Sequence, residues 1–345
     1  MSGRPDFGTT LAVLVVFALL ALAAPAVLET YTLTILLIYG LLAMSLGLVW
    51  GFGGILCFGQ AAFYGLGAYS YAIAAINLGE STLPFALGIL VPFLFAGLLG
   101  AMMFYGRLSD VYLGVITLVV TLIFFKFMNS TAGPEYAIGQ ARLGGFNGIP
   151  GYQTLNVPGD PDAYIFGDDF YYLVVAIVLV VYALLRWLLA SPFGQVAVAI
   201  RENEARVELM GYDARLRKTA LFAVGGAVAG LAGTLFANWA EIVTPGLFSL
   251  GQSAEIIIWC IVGGLGTLVG PFVGAMLLGY LKFALGQQTL IDNTLVLGLV
   301  LVLSVLLLPR GVVPTLSQWA GLASRRRPRR APRRRLRPAR GGADG

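Results

Sequence analysis

Histidine is absent from this chain of 345 residues. That removes the commonest metal ligand and the usual proton relay near neutral pH, which weighs against many membrane enzymes. Cysteine is nearly absent: Cys57 and Cys260 lie in apolar segments without metal-ligand spacing, so no structural disulfide is expected. Charge is scarce too, at 11% of residues against roughly 25% in a soluble domain. No G-x-x-x-x-G-K-[ST] sequence occurs, so the chain does not cradle ATP with such a loop and is expected to bind no cofactor of its own. No nucleophile, metal cluster or pair of acids is visible at membrane depth, which leaves an embedded enzyme without support.

What is present is apolar sequence: 58% of residues, with a mean hydropathy of +0.85. A spanning helix takes ~20 mostly apolar residues, and the chain holds enough for nine or ten. The expected fold is an all-α, polytopic membrane protein in which residues 9–318 form one membrane domain. Apolar runs cover approximately 9–28, 31–50, 55–78, 84–105, 111–129, 170–190, 218–240, 254–286 and 291–309. The first could pass for a signal peptide, with Ala21-Leu22-Ala23 as a small-x-small cleavage site, but its length and the membrane sequence after it favour a retained span.

Basic residues near span ends mark the cytoplasmic side. Arg201, Arg206, Arg215, Arg217 and Lys218 place the loop 191–218 inside, whereas Glu135, Asp160, Asp162, Asp168 and Asp169 against Arg142 alone place the loop 130–169 outside. Residues 319–345 carry RRRPRRAPRRRLRPAR, a cytoplasmic tail with almost nothing apolar to bury, expected to be disordered and drawn to anionic lipid. No nucleic-acid partner is expected. Residue 218 and the tail lie on the same side, so the chain must cross an even number of times between them. The 33-residue run 254–286 would be about 50 Å long as one helix against a core of ~30 Å, so it must be two crossings. Gly263-Gly264-Leu265-Gly266-Thr267 and Pro271 supply the interruption. The count becomes ten segments with both termini cytoplasmic, residues 1–8 being the short N-terminal part.

Residues 31–129 and 218–309 then form two four-segment halves, each with a glycine-rich interruption, at 51–69 and 262–279. Broken helices at corresponding positions point to a transport pathway, since irregular backbone persists in a membrane only where protein or a water-filled cavity satisfies it. Candidate pathway positions are Gly53, Gly54, Gln60 and Gly65 in the first half, and Glu255, Gly263, Gly264 and Gly266 in the second. Lys126 and Lys282, near segment ends, can snorkel. Close packing accounts for other glycines: the steps Gly226–Gly230 and Gly270–Gly274 let helices approach. In the loop 191–218, Val196, Ala199, Ile200, Val207 and Met210 recur at helical spacing, which predicts one amphipathic helix over 195–210, begun near Pro192 and ended at Gly211.

These residues carry a family resemblance. SPFGQVAVAIRENEARVELMGYDARLRK, AGLAGTLFA and TPGLFSLGQSAEIIIWCIVGGLGTLVGPFVGA resemble the permease subunits of branched-chain amino acid ABC importers, particularly the type with the longer outer loop. GLVWGFGGILCFGQAAFYGLGAYSYA and GGFNGIPG are similar to the same group, and the resemblance covers about residues 31–314. It implies a bacterial inner-membrane importer built from two unlike permeases, two separate ATP-hydrolysing subunits and an extracytoplasmic solute-binding protein. It further implies that Ile200, Arg201, Glu202, Asn203, Glu204, Arg206, Val207 and the turn Gly211-Tyr212-Asp213 dock on the ATPase. Close relatives carry urea or short-chain amides, so those solutes stand as the alternative substrate class. An ion-coupled secondary transporter is opposed by the scarcity of intramembrane acids.

Overall fold

The computed structural model describes residues 7–157, 160–286, 298, 302 and 311–315. The expected segment 291–309, apart from its two isolated described positions, and the tail 319–345 lie outside the described residues, as do residues 1–6 and 158–159. The helices are α1 (Phe7–Ala23), α2 (Thr30–Leu46), α3 (Gln60–Leu78), α4 (Thr82–Tyr105), α5 (Asp110–Ser130), α6 (Gly167–Ala190), α7 (Pro192–Glu202), α8 (Glu204–Leu209), α9 (Ala214–Ala240), α10 (Leu250–Gly263) and α11 (Val269–Gly286). A π-helical turn, Gly47–Phe52, prolongs α2. Among the described residues, α2 with this turn, α4, α5, α6 and α9 are long and apolar enough to cross a membrane, and the segments Thr10–Ala26, Leu250–Gly263 and Val269–Leu285 are shorter apolar helices. The protein is therefore a multi-pass, mostly helical membrane protein.

Helix α9 is the central post, packed chiefly on α4, α3 and α2. Its 27 residues span about 40 Å. Small residues bring its neighbours within backbone distance. A methyl group placed on Gly226 would lie 2.4 Å from Ala96 Cβ, on Gly230 2.5 Å from Pro92 Cγ, and on Gly233 1.9 Å from the Tyr64 carbonyl oxygen. These distances are sub-contact, so no side chain fits there, and the expected Gly226–Gly230 step is a packing seam against α4. The facing Pro92 lies inside α4 and removes a backbone donor there.

The run 254–286 is broken as the glycines predict. Residues 264–268 separate α10 from α11, with Gly264 at φ 100° and Gly266 at φ 91°, a region that favours glycine. The two helices fold back on each other: a methyl on Gly274 would meet the Trp259 carbonyl oxygen at 2.1 Å and one on Gly263 the Gly270 carbonyl oxygen at 1.9 Å. With 14 residues, α10 is only about 21 Å long, short of a ~30 Å core on its own.

Two sequence expectations are corrected. The chain is not purely α-helical: the loop 130–169 holds β1 (Ala137–Ile138), β2 (Ala141–Arg142), β3 (Ile149–Pro150), β4 (Asn156–Val157) and β5 (Asp160–Tyr164), and β6 (Ile242–Val243) follows α9. The antiparallel pairs are β1–β2, β4–β5 and β3–β6, the last with Ile149 opposite Val243. These short pairs satisfy backbone groups in a loop too long to be left irregular. Tyr71 Oη donates to the Gln153 carbonyl at 2.9 Å, Tyr152 Oη to the Ala237 carbonyl at 2.7 Å, and Leu155 N to Asn238 Oδ1 at 2.8 Å, so the loop is pinned to the ends of α3 and α9. The second correction is that the predicted helix over 195–210 is two helices. Asn203 leaves helical geometry at φ −162° and ψ 97°, and its Oδ1 accepts from Arg206 N at 2.9 Å. An asparagine that caps a new helix competes with continuing the old one.

Candidate functional site

The side chains that could act on a partner or a solute lie at the two ends of the bundle and, buried between them, on α3 and α10. At one end, hereafter the base, lie the loop 191–218, the π turn of α2 and the break between α10 and α11. At the other, the top, lie the β pairs.

The loop at the base is held by its own small core. Ile200, Val207 and Ala214 are buried together with Val196 against them. Three caps fix its corners: Ser191 Oγ accepts from Gly194 N, Asn203 caps α8, and Asp213 Oδ1 accepts from Arg215 N at 3.0 Å and Leu216 N at 3.1 Å to start α9. Lys218 Nζ pairs with Glu204 at 2.5 Å, and its ammonium lies 5.9 Å from the centre of the Phe104 ring. Arg201 bonds Glu202 at 2.6 Å. That hydrogen bond and the guanidinium charge hold the exposed Glu202 carboxyl below its ordinary value.

Splitting the helix changes which apolar residues face inward. Met210, expected on the packed face, is exposed beyond the split; Ala199, on α7 before it, is exposed as well, because α7 packs by Ala197 and Ile200 instead. The capping turn at Asn203 rotates α8 relative to α7 and breaks the single helical register. Leu209 is left 90% exposed and Met210 69% exposed, with Tyr212 and Leu216 also open beside them. Between them Gly211 turns at φ 88°. Leu209 and Leu216 were missed by sequence reasoning; the signals were the capping residues Asn203 and Asp213, which start α8 and α9.

Of the residues assigned to docking, Asn203, Glu204 and Asp213 thus have partners within the loop, and Ile200 and Val207 form its core. Arg206, Gly211 and Tyr212 are exposed, as are Arg201, Glu202, Asn203 and Asp213. Arg201 points elsewhere: its Nη1 donates to the Gly51 carbonyl in the π turn.

The candidate pathway residues divide likewise. Gly53 packs on Leu221, and Gly54, at φ 70°, lies under the Arg201 side chain. Gly51 adjoins Gly266, and a methyl group on Gly311 would meet Gly264 Cα at 2.2 Å. The two glycine-rich interruptions therefore meet at the base, with residue 311 beside them. Gly65 lies under the Phe248 ring, away from this cluster, and Gly263 packs against Gly270. Glu255 does not stand alone: Lys282 Nζ pairs with it at 2.6 Å, which offsets the cost of an acid inside an apolar helix pair. Lys126 is exposed on α5.

Gln60, 2% exposed, ties three helices. Its Nε2 donates to Ser45 Oγ at 2.8 Å and to the Gly225 carbonyl at 3.2 Å. Among the described residues its Oε1 has no partner, nor do Tyr64 Oη and Tyr69 Oη on the same helix or Ser253 Oγ on α10. Gln60→Leu keeps the volume and removes both donors. It should lower stability by about 1–3 kcal/mol, the net worth of the two hydrogen bonds lost, seen as a reduced melting temperature of the detergent-solubilised protein.

At the top, cavities of about 300 and 210 Å³ share Thr154 and Glu241 on their walls. Glu241 sits at φ 56° after the last turn of α9, a left-handed position usually left to glycine or asparagine. Tyr31 and Trp239 stack beside it at 4.5 Å, and Trp239 Nε1 donates to the Tyr31 carbonyl.

Residues 28–308 match the profile of the branched-chain amino acid transport system permease component. The chain belongs to this permease family. It is 30% identical over 330 residues to the high-affinity branched-chain amino acid transport system permease protein LivM of Escherichia coli, covering 87% of this chain and 74% of the relative. The LivM of Salmonella typhimurium is 29% identical over 81% of this chain and 69% of its own. The probable LivM of Methanocaldococcus jannaschii is 24% identical over 69% and 76%. No solved structure matches the chain at a significant level. The permease is thus a membrane subunit of an ABC importer, with the resemblance in its sequence confirmed over most of its length.

Proposed function

We propose that the permease forms part of the membrane path through which an ATP-driven importer moves branched-chain amino acids. The ATP is hydrolysed by two partner subunits, a second and unlike permease completes the path, and an extracytoplasmic binding protein delivers the solute. The base faces the cytoplasm and the top faces outward, with ten crossings in two halves and both termini inside.

The observation that carries this reading is the exposed apolar tip of the base loop. Leu209, Met210, Tyr212 and Leu216 form an uncovered apolar group on an otherwise charged loop, the pattern of a surface that a protein partner covers. The loop's buried core and three caps make it rigid enough to transmit force. In this account docking rests on that tip, with Arg206 at its edge, more than on the charged residues that the resemblance named. At the other end, Glu241 and Thr154 supply a carboxylate and a hydroxyl where an amino acid's ammonium group would enter. The unpartnered polar groups of Gln60, Tyr64, Tyr69 and Ser253 are the buried positions best suited to contact a solute in transit, more so than the packed glycines.

Uptake of labelled leucine and labelled urea into proteoliposomes holding the complete assembly tests the reading. ATP-dependent leucine uptake supports it. ATP-dependent urea uptake without leucine uptake would replace the substrate, and uptake that needs an ion gradient but no ATP would replace the mechanism.

A further inference from the structure

The bond between Arg201 and Gly51 has a specific physical cause. A helix leaves its last carbonyls without intrahelical donors and carries partial negative charge at that end. In a continuing α-helix the Ile55 N–H would bond the Gly51 carbonyl; here it bonds Val49 at 3.2 Å, and Gly53 N bonds Leu48 in the wider π pattern. The Gly51 carbonyl is therefore free, and a guanidinium from a different element occupies it. The hydrocarbon stem of Arg201 lies over Gly54, where an added methyl would come within 2.6 Å of Arg201 Cγ. Glu202 holds the guanidinium from its other side. On its far face Gly51 touches the second interruption: a methyl there would meet Gly266 N at 3.1 Å.

We propose that Arg201 is the positioning residue that transmits movement of the docking loop to the base of the membrane bundle. Its guanidinium staples α7 to the frayed end of α2, which in turn abuts the α10–α11 break. When the partner ATPase shifts the loop, this staple moves both glycine-rich interruptions together. Arg201 is then no docking contact, and its loss uncouples hydrolysis from transport. The inference rests on the importer reading above and adds how the loop's motion reaches the membrane helices.

The test uses the complete assembly with Arg201→Met, which keeps the stem over Gly54 and removes the donor, and with Arg201→Lys, which restores a cationic donor without the planar fork. ATPase co-purification, ATP hydrolysis and solute uptake are measured on each. Arg201→Met should retain the ATPase subunits and hydrolyse ATP close to the wild-type rate. Uptake per ATP should fall about tenfold or more, the loss of one charge-assisted hydrogen bond, and Arg201→Lys should recover part of it. Gly54→Ala displaces the same side chain from beneath but also strains the backbone at φ 70°; with its folding verified by size exclusion it should give the same uncoupling, with little added by combining it with Arg201→Met. If Arg201→Met does not fold, Gly54→Ala and Arg201→Lys carry the comparison. Wild-type uptake per ATP in these variants overturns the proposal, and so does loss of ATPase binding in Arg201→Met, which would make Arg201 a docking residue. Absence of ATP-driven uptake by the wild-type assembly would instead overturn the importer reading.

Discussion

Leu209→Ser combined with Met210→Ser should release the ATPase subunits from the permease while leaving the permease folded. Both side chains are open to solvent, so the unbound permease gains almost nothing from them. Burying each under a partner is worth about 1.5–3 kcal/mol. Losing both removes about 3–6 kcal/mol of binding, a fall of about 10²–10⁴-fold in affinity. Serine is preferred to aspartate because these positions end α8, and an acid there would also oppose the helix dipole. Co-purification on a tagged permease, with a size-exclusion profile to verify folding, reads the result. An ATPase yield equal to wild type would show that the tip is not where the partner sits. Arg206→Ala, a rim charge, should by comparison reduce affinity only several-fold.

The second large effect is on folding. Gly233→Ala should destabilise the bundle by about 3 kcal/mol or more, at or beyond the usual range for overpacking. The added methyl would stand 1.9 Å from the Tyr64 carbonyl oxygen. That atom belongs to backbone of α3 and has no rotamer by which to escape. Helices α3 and α9 would have to separate along a seam that also brings Gly67 against Gly230. Gly97→Ala is the matched control, since its methyl would meet Ala223 Cβ at an ordinary 3.6 Å. Yield and melting temperature in detergent should drop for Gly233→Ala and stay near wild type for Gly97→Ala. Equal behaviour of the two would mean that α3 and α9 are not as close as described.

Membrane character, the break in the run 254–286 and the packing role of Gly226–Gly230 were legible because each follows from local composition. Hydropathy declares the spans, and clustered glycines declare where a helix ends or another helix approaches. The fold of the outer loop was not legible: β3 pairs with β6 across almost a hundred residues of sequence, and no local pattern announces two-residue strands. The single helix over 195–210 was misread for a subtler reason. The apolar spacing fits one continuous helix, but Asn203 gains a cap by breaking it, and that choice turns Met210 outward. The resemblance gave Arg201 as a docking residue, and its bond to a carbonyl freed by the π turn 150 residues earlier leaves no local trace in the sequence. Conversely, Glu255 was named as a candidate pathway position, yet it is paired with Lys282, one helix away on the returning arm of the hairpin. Pairings made by tertiary approach leave little trace in sequence.

The most direct test of the central claim is ATP-driven leucine uptake by the reconstituted assembly, run side by side for the wild-type permease and for the Leu209→Ser, Met210→Ser variant. Uptake should require ATP in the first and be lost in the second, with the variant permease still folded in the membrane. Leucine uptake that continues in the variant at the wild-type rate, or that proceeds in the wild type without ATP, would contradict the claim.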